Sequence, residues 1–243
     1  MRKLVFATLV LLAALPLAAQ DYEQFMLPIA PSVVMCGYHS RYDTRLLVFN
    51  DNDRAVARYC STADCAGLAS KTGIEVSGDY AGGTPVPRFL YIPKADAAGL
   101  RMSIMIESSE QDHPEERSFT EVPVVRASDF TDGRINFILR MDPGFRQTVR
   151  IYGLDGSRSA QVKMRIYPLE GGKAISWWLH DLHPLGDAEL MPSFGMECDL
   201  SEYVEAKGQQ VRIELEPKTP GRYWGFISVT NNRTQHFYTV LPR

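Results

Sequence analysis

The chain has 243 residues, with 26 Lys and Arg against 29 Asp and Glu, and 45% of its side chains are apolar. That apolar share suffices for packed cores, and no low-complexity tract marks disorder. A net charge of −3 argues against nucleic acid or an anionic membrane surface as partner, because both are bound by dense positive charge.

The N-terminus begins with Arg2 and Lys3, continues as an apolar run from Leu4 to Leu17, and ends in Ala18-Ala19-Gln20. This order of basic start, apolar stretch and small residues is that of a secretory signal, and it predicts cleavage after Ala19. The alternative is an uncleaved anchor. About fourteen apolar residues fall short of the roughly 20 that span a bilayer, and no Cys follows them to carry a lipid. Without Arg2 and Lys3, 24 basic side chains face 29 acidic ones, a net charge near −5. The remainder suits two domains of ordinary size, expected at 20–127 and 128–243. Localisation is expected to be secreted, periplasmic or at the cell surface.

Export permits disulfides. Four cysteines, Cys36, Cys60, Cys65 and Cys198, allow three pairings that sequence alone does not choose between. The short Cys60–Cys65 loop favours a local bridge, since few residues separate the thiols in the unfolded chain. Half of a zinc site is the other reading, but no second Cys pair completes it. Cys36 and Cys198 fall in different domains, with bridged, free and buried states all open.

Along the chain the patterning has a period of two. Leu100, Met102, Ile104 and Ile106 alternate with Arg101 and Ser103; Val149 and Ile151 alternate with Thr148 and Arg150. Val162, Met164 and Ile166 alternate with Lys163 and Arg165, as do Val211, Ile213 and Leu215 with charged residues. Alternation of this kind places one face of a strand on a core and the other in water. Fuller apolar runs at Leu46 to Phe49, Phe89 to Ile92 and Tyr223 to Val229 predict central strands or strands covered on both faces. Asn, Asp and Gly clusters separate them, among them Asp51-Asn52-Asp53, Gly82-Gly83, Asp132-Gly133, Asp155-Gly156, Gly171-Gly172 and Asn231-Asn232, which suit tight turns. One short helical turn is expected at Leu200 to Val204, and the acidic stretch Glu107 to Glu116 is expected to be a solvated hairpin tip. The fold class is therefore all-β, as two tandem antiparallel sandwiches joined near Ala127 to Gly133.

Three strings recur in order. Thr44 to Asp53 is echoed by Thr148 to Ser157, Leu100 to Glu107 by Val211 to Glu216, and Arg117 to Val125 by Thr234 to Pro242. The second set is more widely spaced, and Trp177 to Asp187 has no counterpart in the first. The segments Thr44 to Asn50, Phe145 to Tyr152 and Tyr223 to Asn232 resemble repeats in exported bacterial proteins with tandem immunoglobulin-like, adhesin-like β-sandwiches. The resemblance spans most of residues 28–243 and rests on pattern. It implies a binding, adhesion or structural module, the Cys60–Cys65 loop fits it, and it carries over no catalytic residue.

The densest chemistry lies in Trp177-Trp178-Leu179-His180-Asp181-Leu182-His183. Consecutive strand residues face opposite sides, so the second indole is expected to be covered by the linker or the neighbouring domain, the alternative being an exposed ring that serves as a ligand platform. Two imidazoles and a carboxylate suit a borderline metal, with Asp187 or Glu189 as a further ligand. The simpler reading of this stretch is a polar loop ending at Pro184 and Gly186. Asp51 to Asp53, with Asp129 and Asp132, offers oxygens to calcium but lacks the spacing of a calcium loop; a solvated turn is expected. Asn232-Arg-Thr234 matches a glycosylation sequon. No Gly-x-Ser-x-Gly elbow, P-loop or dinucleotide glycine motif occurs.

The expectation is thus a non-catalytic module that binds a protein or glycan outside the cytoplasm, with no cofactor and with Trp177, Trp178, His180, Asp181 and His183 as its candidate site. The alternative is a secreted metal-dependent hydrolase or accessory domain using His180, Asp181 and His183.

Overall fold

The computed structural model describes residues 21–28, 40–56, 68–77, 87–110, 113–200 and 208–243. The expected signal segment and the Cys60–Cys65 loop lie outside the described residues, as does nearly all of the expected turn at 200–204. Cys198 is disulfide-bonded.

Alternating sequence becomes strand throughout. The first half contains β1 (Tyr22–Leu27), β2 (Ser40–Asn50), β3 (Gly73–Ser77), β4 (Arg88–Pro93), β5 (Leu100–Glu110), β6 (His113–Pro123) and β7 (Val125–Arg126). The second contains β8 (Ile135–Arg140), β9 (Phe145–Gly153), β10 (Ala160–Pro168), β11 (Ser176–Pro184), β12 (Ser193–Glu197), β13 (Gln210–Pro217), β14 (Tyr223–Asn231) and β15 (Phe237–Val240). The first half forms a sheet in the order β4-β1-β7 and another in the order β3-β2-β5-β6. The second forms one eight-stranded sheet, β15-β14-β9-β12-β11-β10-β13-β8. It rolls up until its ends nearly meet, where the Arg243 amide donates to the Asn136 carbonyl at 3.0 Å.

The fold class is all-β, but the recurring strings do not share a topology. β2, β5 and β6 are successive neighbours in one sheet. Their echoes are not: β9 and β15 flank β14, whereas β13 lies between β10 and β8. The strings share alternation, which any half-buried strand has, and not a pairing pattern.

The apolar junction of the halves is built on one pair of strands, and β6 also meets β15, where Thr120 donates to the Phe237 carbonyl. β9 and β14 run antiparallel from Phe145↔Asn231 to Gly153↔Tyr223 and are buried almost end to end. Val149, Ile151, Ile227 and Val229 face the core of the rolled sheet. On the opposite side Tyr152, Trp224 and Phe226 belong to the core of the first half, with Leu46, Ile104 and Phe130. The three rings lie within 5.7–6.4 Å of one another. The Tyr223 to Val229 run has no polar alternation because both its faces meet a core.

Farther along the same face the contact turns polar. Arg146 donates to Tyr42 Oη (3.1 Å), Gln235 Oε1 (2.8 Å) and Asn232 Oδ1 (3.1 Å), so the sequon asparagine is engaged. Arg150 donates to Ser228 Oγ at 2.7 Å and lies over the Phe226 ring. Burial, assisted by Arg146, lowers the Arg150 pKa.

One turn expectation needs correction. Glu107 is buried and lies between Arg45 and Arg117, each at 2.9 Å, so the acidic stretch is not solvated at its start. The 127–133 link is anchored: Phe130 is in the first core, and Thr131 and Tyr223 exchange backbone hydrogen bonds of 2.9 and 2.7 Å.

Because both cores lean on β9 and β14, Phe226→Ala is expected to cost about 3–5 kcal/mol. It should lower the stability of the whole chain in one transition, read by circular dichroism and tryptophan fluorescence together. Two separated transitions with only one shifted would show that the halves are independent.

Candidate binding face

β10 and β11 form a hairpin whose turn contains Gly171 and Gly172 at φ 97° and 108°, a left-handed geometry that glycine adopts at little cost. The hairpin register places Trp177 opposite Arg165, Leu179 opposite Lys163 and Asp181 opposite Gln161. Only one of the two indoles is covered. Trp178 packs on the second core, and Trp177 is 58% exposed. Ile175 and Leu179, two residues to either side, are 40% and 49% exposed. Three large apolar groups therefore line one outer row. Lys163 Nζ lies 4.0 Å from the centre of the Trp177 ring, a cation–π contact that fixes the indole on the strand.

The segment is a strand to Pro184 and not a polar loop, and this separates the proposed metal ligands. His180 points inward, and Asp181 and His183 are exposed on the outer side. Asp181 accepts from Gln161 Nε2 at 3.1 Å. The Asp187 carboxylate turns back to the Glu189 amide at 3.0 Å. Among the described residues no group of three or more His, Cys, Asp and Glu is arranged to hold a metal ion. The calcium reading meets a similar obstacle: Asp51 is engaged by Lys71 and Arg101, and Asp129 accepts from the Arg126 amide.

His180 has a structural setting. Its Nδ1 lies 3.7 Å from Glu197 Oε2, and Nε2 is buried without a hydrogen-bond partner among the described residues. A side chain at Gly195 would come within 2.7 Å of that Nε2, so glycine there admits the ring between β11 and β12. Burial lowers the His180 pKa, with Glu197 and Asp181 opposing the shift.

Beside the apolar row is a charged layer that spacing alone does not reveal. Glu214 has only 5% of its side chain exposed and contacts Arg165 at 2.9 Å, Arg212 at 3.0 Å and Arg134 at 3.5 Å. Glu216 is held by Lys218 and Arg165, which lower its pKa to about 2. Glu214 lies beneath its cations, whereas Glu216 at 21% is as exposed as Arg165 at 20%. Alternation in β10 and β13 signals that the groups share an outer face, but Arg134 is brought in from far along the chain by the β8–β13 pairing.

A second apolar surface, a hollow of about 570 Å³, lies on the four-stranded sheet and includes Leu47, Phe49 and Gly73. Of the charged groups that line it, Glu75 pairs with Arg45, Arg101 with Asp51, and Glu121 accepts from the Ser103 hydroxyl. Comparison of the chain with protein-family models, curated proteins and solved structures finds no match.

The depressed His180 pKa favours the neutral ring in the folded state, so protonation favours unfolding. Stability is expected to be complete above pH 6.5, the unfolded value, and to fall as pH drops through the lower folded value. His180→Gln should flatten that part of the stability–pH curve measured by urea unfolding; an unchanged slope would remove His180 as its source.

Proposed function

We propose that the chain is an exported, non-catalytic recognition module that binds a partner protein through the outer row of β11. One observation carries this reading: Ile175, just before β11, and Trp177 and Leu179 on it stand exposed in succession, with β10 paired along one side of the strand. Isolated apolar groups are ordinary on a surface, but a contiguous row marks an interface. The flanking aliphatic side chains favour protein over sugar, because a sugar ring stacks on the indole and gains little from Ile or Leu. Export is supported by the residue order at 1–19. Among the described residues no helix is long and apolar enough to cross a membrane. The scaffold is proposed as two β-sandwich halves of the immunoglobulin-like kind, supported by the resemblance of the strand and turn pattern.

Trp177→Ala is expected to lower stability by no more than about 1 kcal/mol, the scale of an exposed cation–π contact. The same change, or Leu179→Ser, should abolish retention of the chain by the envelope of cells that export it, read by fractionation. Unchanged retention in both folded variants would refute the reading, and global unfolding of Trp177→Ala would assign that ring to the core.

A further inference from the structure

We propose that the segment of the partner protein seated on this face is acidic, with carboxylates set among large apolar side chains. This rests on the recognition role proposed for the β11 row and adds the chemistry of what occupies it. The outer face of β10 and β13, with the turns beside it, carries Arg134, Lys163, Arg165, Arg212 and Lys218 against Asp181, Glu214 and Glu216. The whole chain has a net charge of −3, so this surplus of cations opposes the sign of the molecule.

Depth strengthens the effect. Glu214 is 5% exposed at its side chain, whereas Arg134, Arg212 and Lys218 are 59%, 37% and 38% exposed. Over Glu214 an approaching partner meets guanidinium, while Glu216 at 21% is exposed as much as Arg165 at 20%, and Asp181 is exposed beside them. Lys163 adds a cation with no carboxylate in ion-pair contact among the described residues, held over the Trp177 ring. An ammonium has three donors, so one face can lie on the indole while another receives a carboxylate.

The geometry sets the two chemistries side by side. Outward residues along a strand recur at about 7 Å, and neighbouring strands lie about 4.8 Å apart. Trp177 and Leu179 thus run parallel to Arg165 and Lys163, one apolar row and one cationic row. A segment carrying only apolar groups would bury the Lys163 ammonium with no carboxylate beside it, at a cost of several kcal/mol. An acidic and apolar segment satisfies both rows. It also gains from attraction at a distance, which appears as a salt-dependent association rate.

The test uses the full chain and three fluorescent probes: a short peptide alternating Glu with Leu and Phe, its Lys-for-Glu counterpart, and polygalacturonate. Anisotropy is expected to show preference for the acidic peptide. Its Kd should rise at least about tenfold in Lys163→Glu, and again as salt is raised from about 50 to 300 mM. Lys163→Gln should have an intermediate effect, and the thermal transitions of both variants confirm folding. Equal binding of the basic peptide, tighter binding of polygalacturonate, no binding of the acidic peptide, or an acidic-peptide Kd unchanged in Lys163→Glu would each overturn the proposal. If envelope retention is lost in Trp177→Ala but intact in Lys163→Glu, the recognition role stands and the acidic partner does not.

Discussion

The structure depends on β9 and β14 being buried on both sides. A strand pair with one wet face can support one core; this pair supports two. The side chains of Val149, Ile151, Ile227 and Val229 close the rolled sheet, and those of Tyr152, Trp224 and Phe226 close the sheets of the first half. At roughly 1.5–3 kcal/mol for each large apolar side chain removed from water, the three rings alone make separation of the halves costly. Such a junction differs from a flexible linker between two beads, in which few contacts cross the boundary.

The polar end of the junction plays a different part. Burying Arg146 and Arg150 adds little net stability, since desolvation of a guanidinium offsets much of what its hydrogen bonds return. These groups constrain how the halves meet. Arg146 reaches Tyr42 on β2 as well as Gln235 and Asn232 near β15, and Ser108 donates across the same junction to the Gln235 carbonyl. A slip of either half would strand a buried cation. The aromatic end holds the halves together, and the polar end fixes their register.

How much of this the sequence discloses follows from its periodicity. A period of two identifies β5, β10 and β13 and their buried residues, since one-sided burial leaves a direct mark. The same period divides Trp177 from Trp178, though not which of the two is covered. Pairing is not legible: Leu100 to Glu107 and Val211 to Glu216 look alike, but one lies between β2 and β6 and the other between β10 and β8. The segment His180 to His183 reads as a loop because Pro184 and Gly186 follow it. In the fold β11 continues into pairing with β12 at His183↔Phe194, and Gly195 makes room for His180. The layering of cations over Glu214 depends on residues distant along the chain, and no local pattern encodes it.

These features place structural duty and exposed chemistry on different strands. β9 and β14 join the cores, and the outer row of β11 is left free for contact. Native-state hydrogen exchange on the whole chain tests that division most directly. Amides of the first core at Leu46 and Ile104 and of the second at Val162 and Ile213 should open only with β9 and β14, at one shared free energy and with the same denaturant dependence. Protection that persists in the second half after it is lost in the first would contradict a common junction and leave two separable domains.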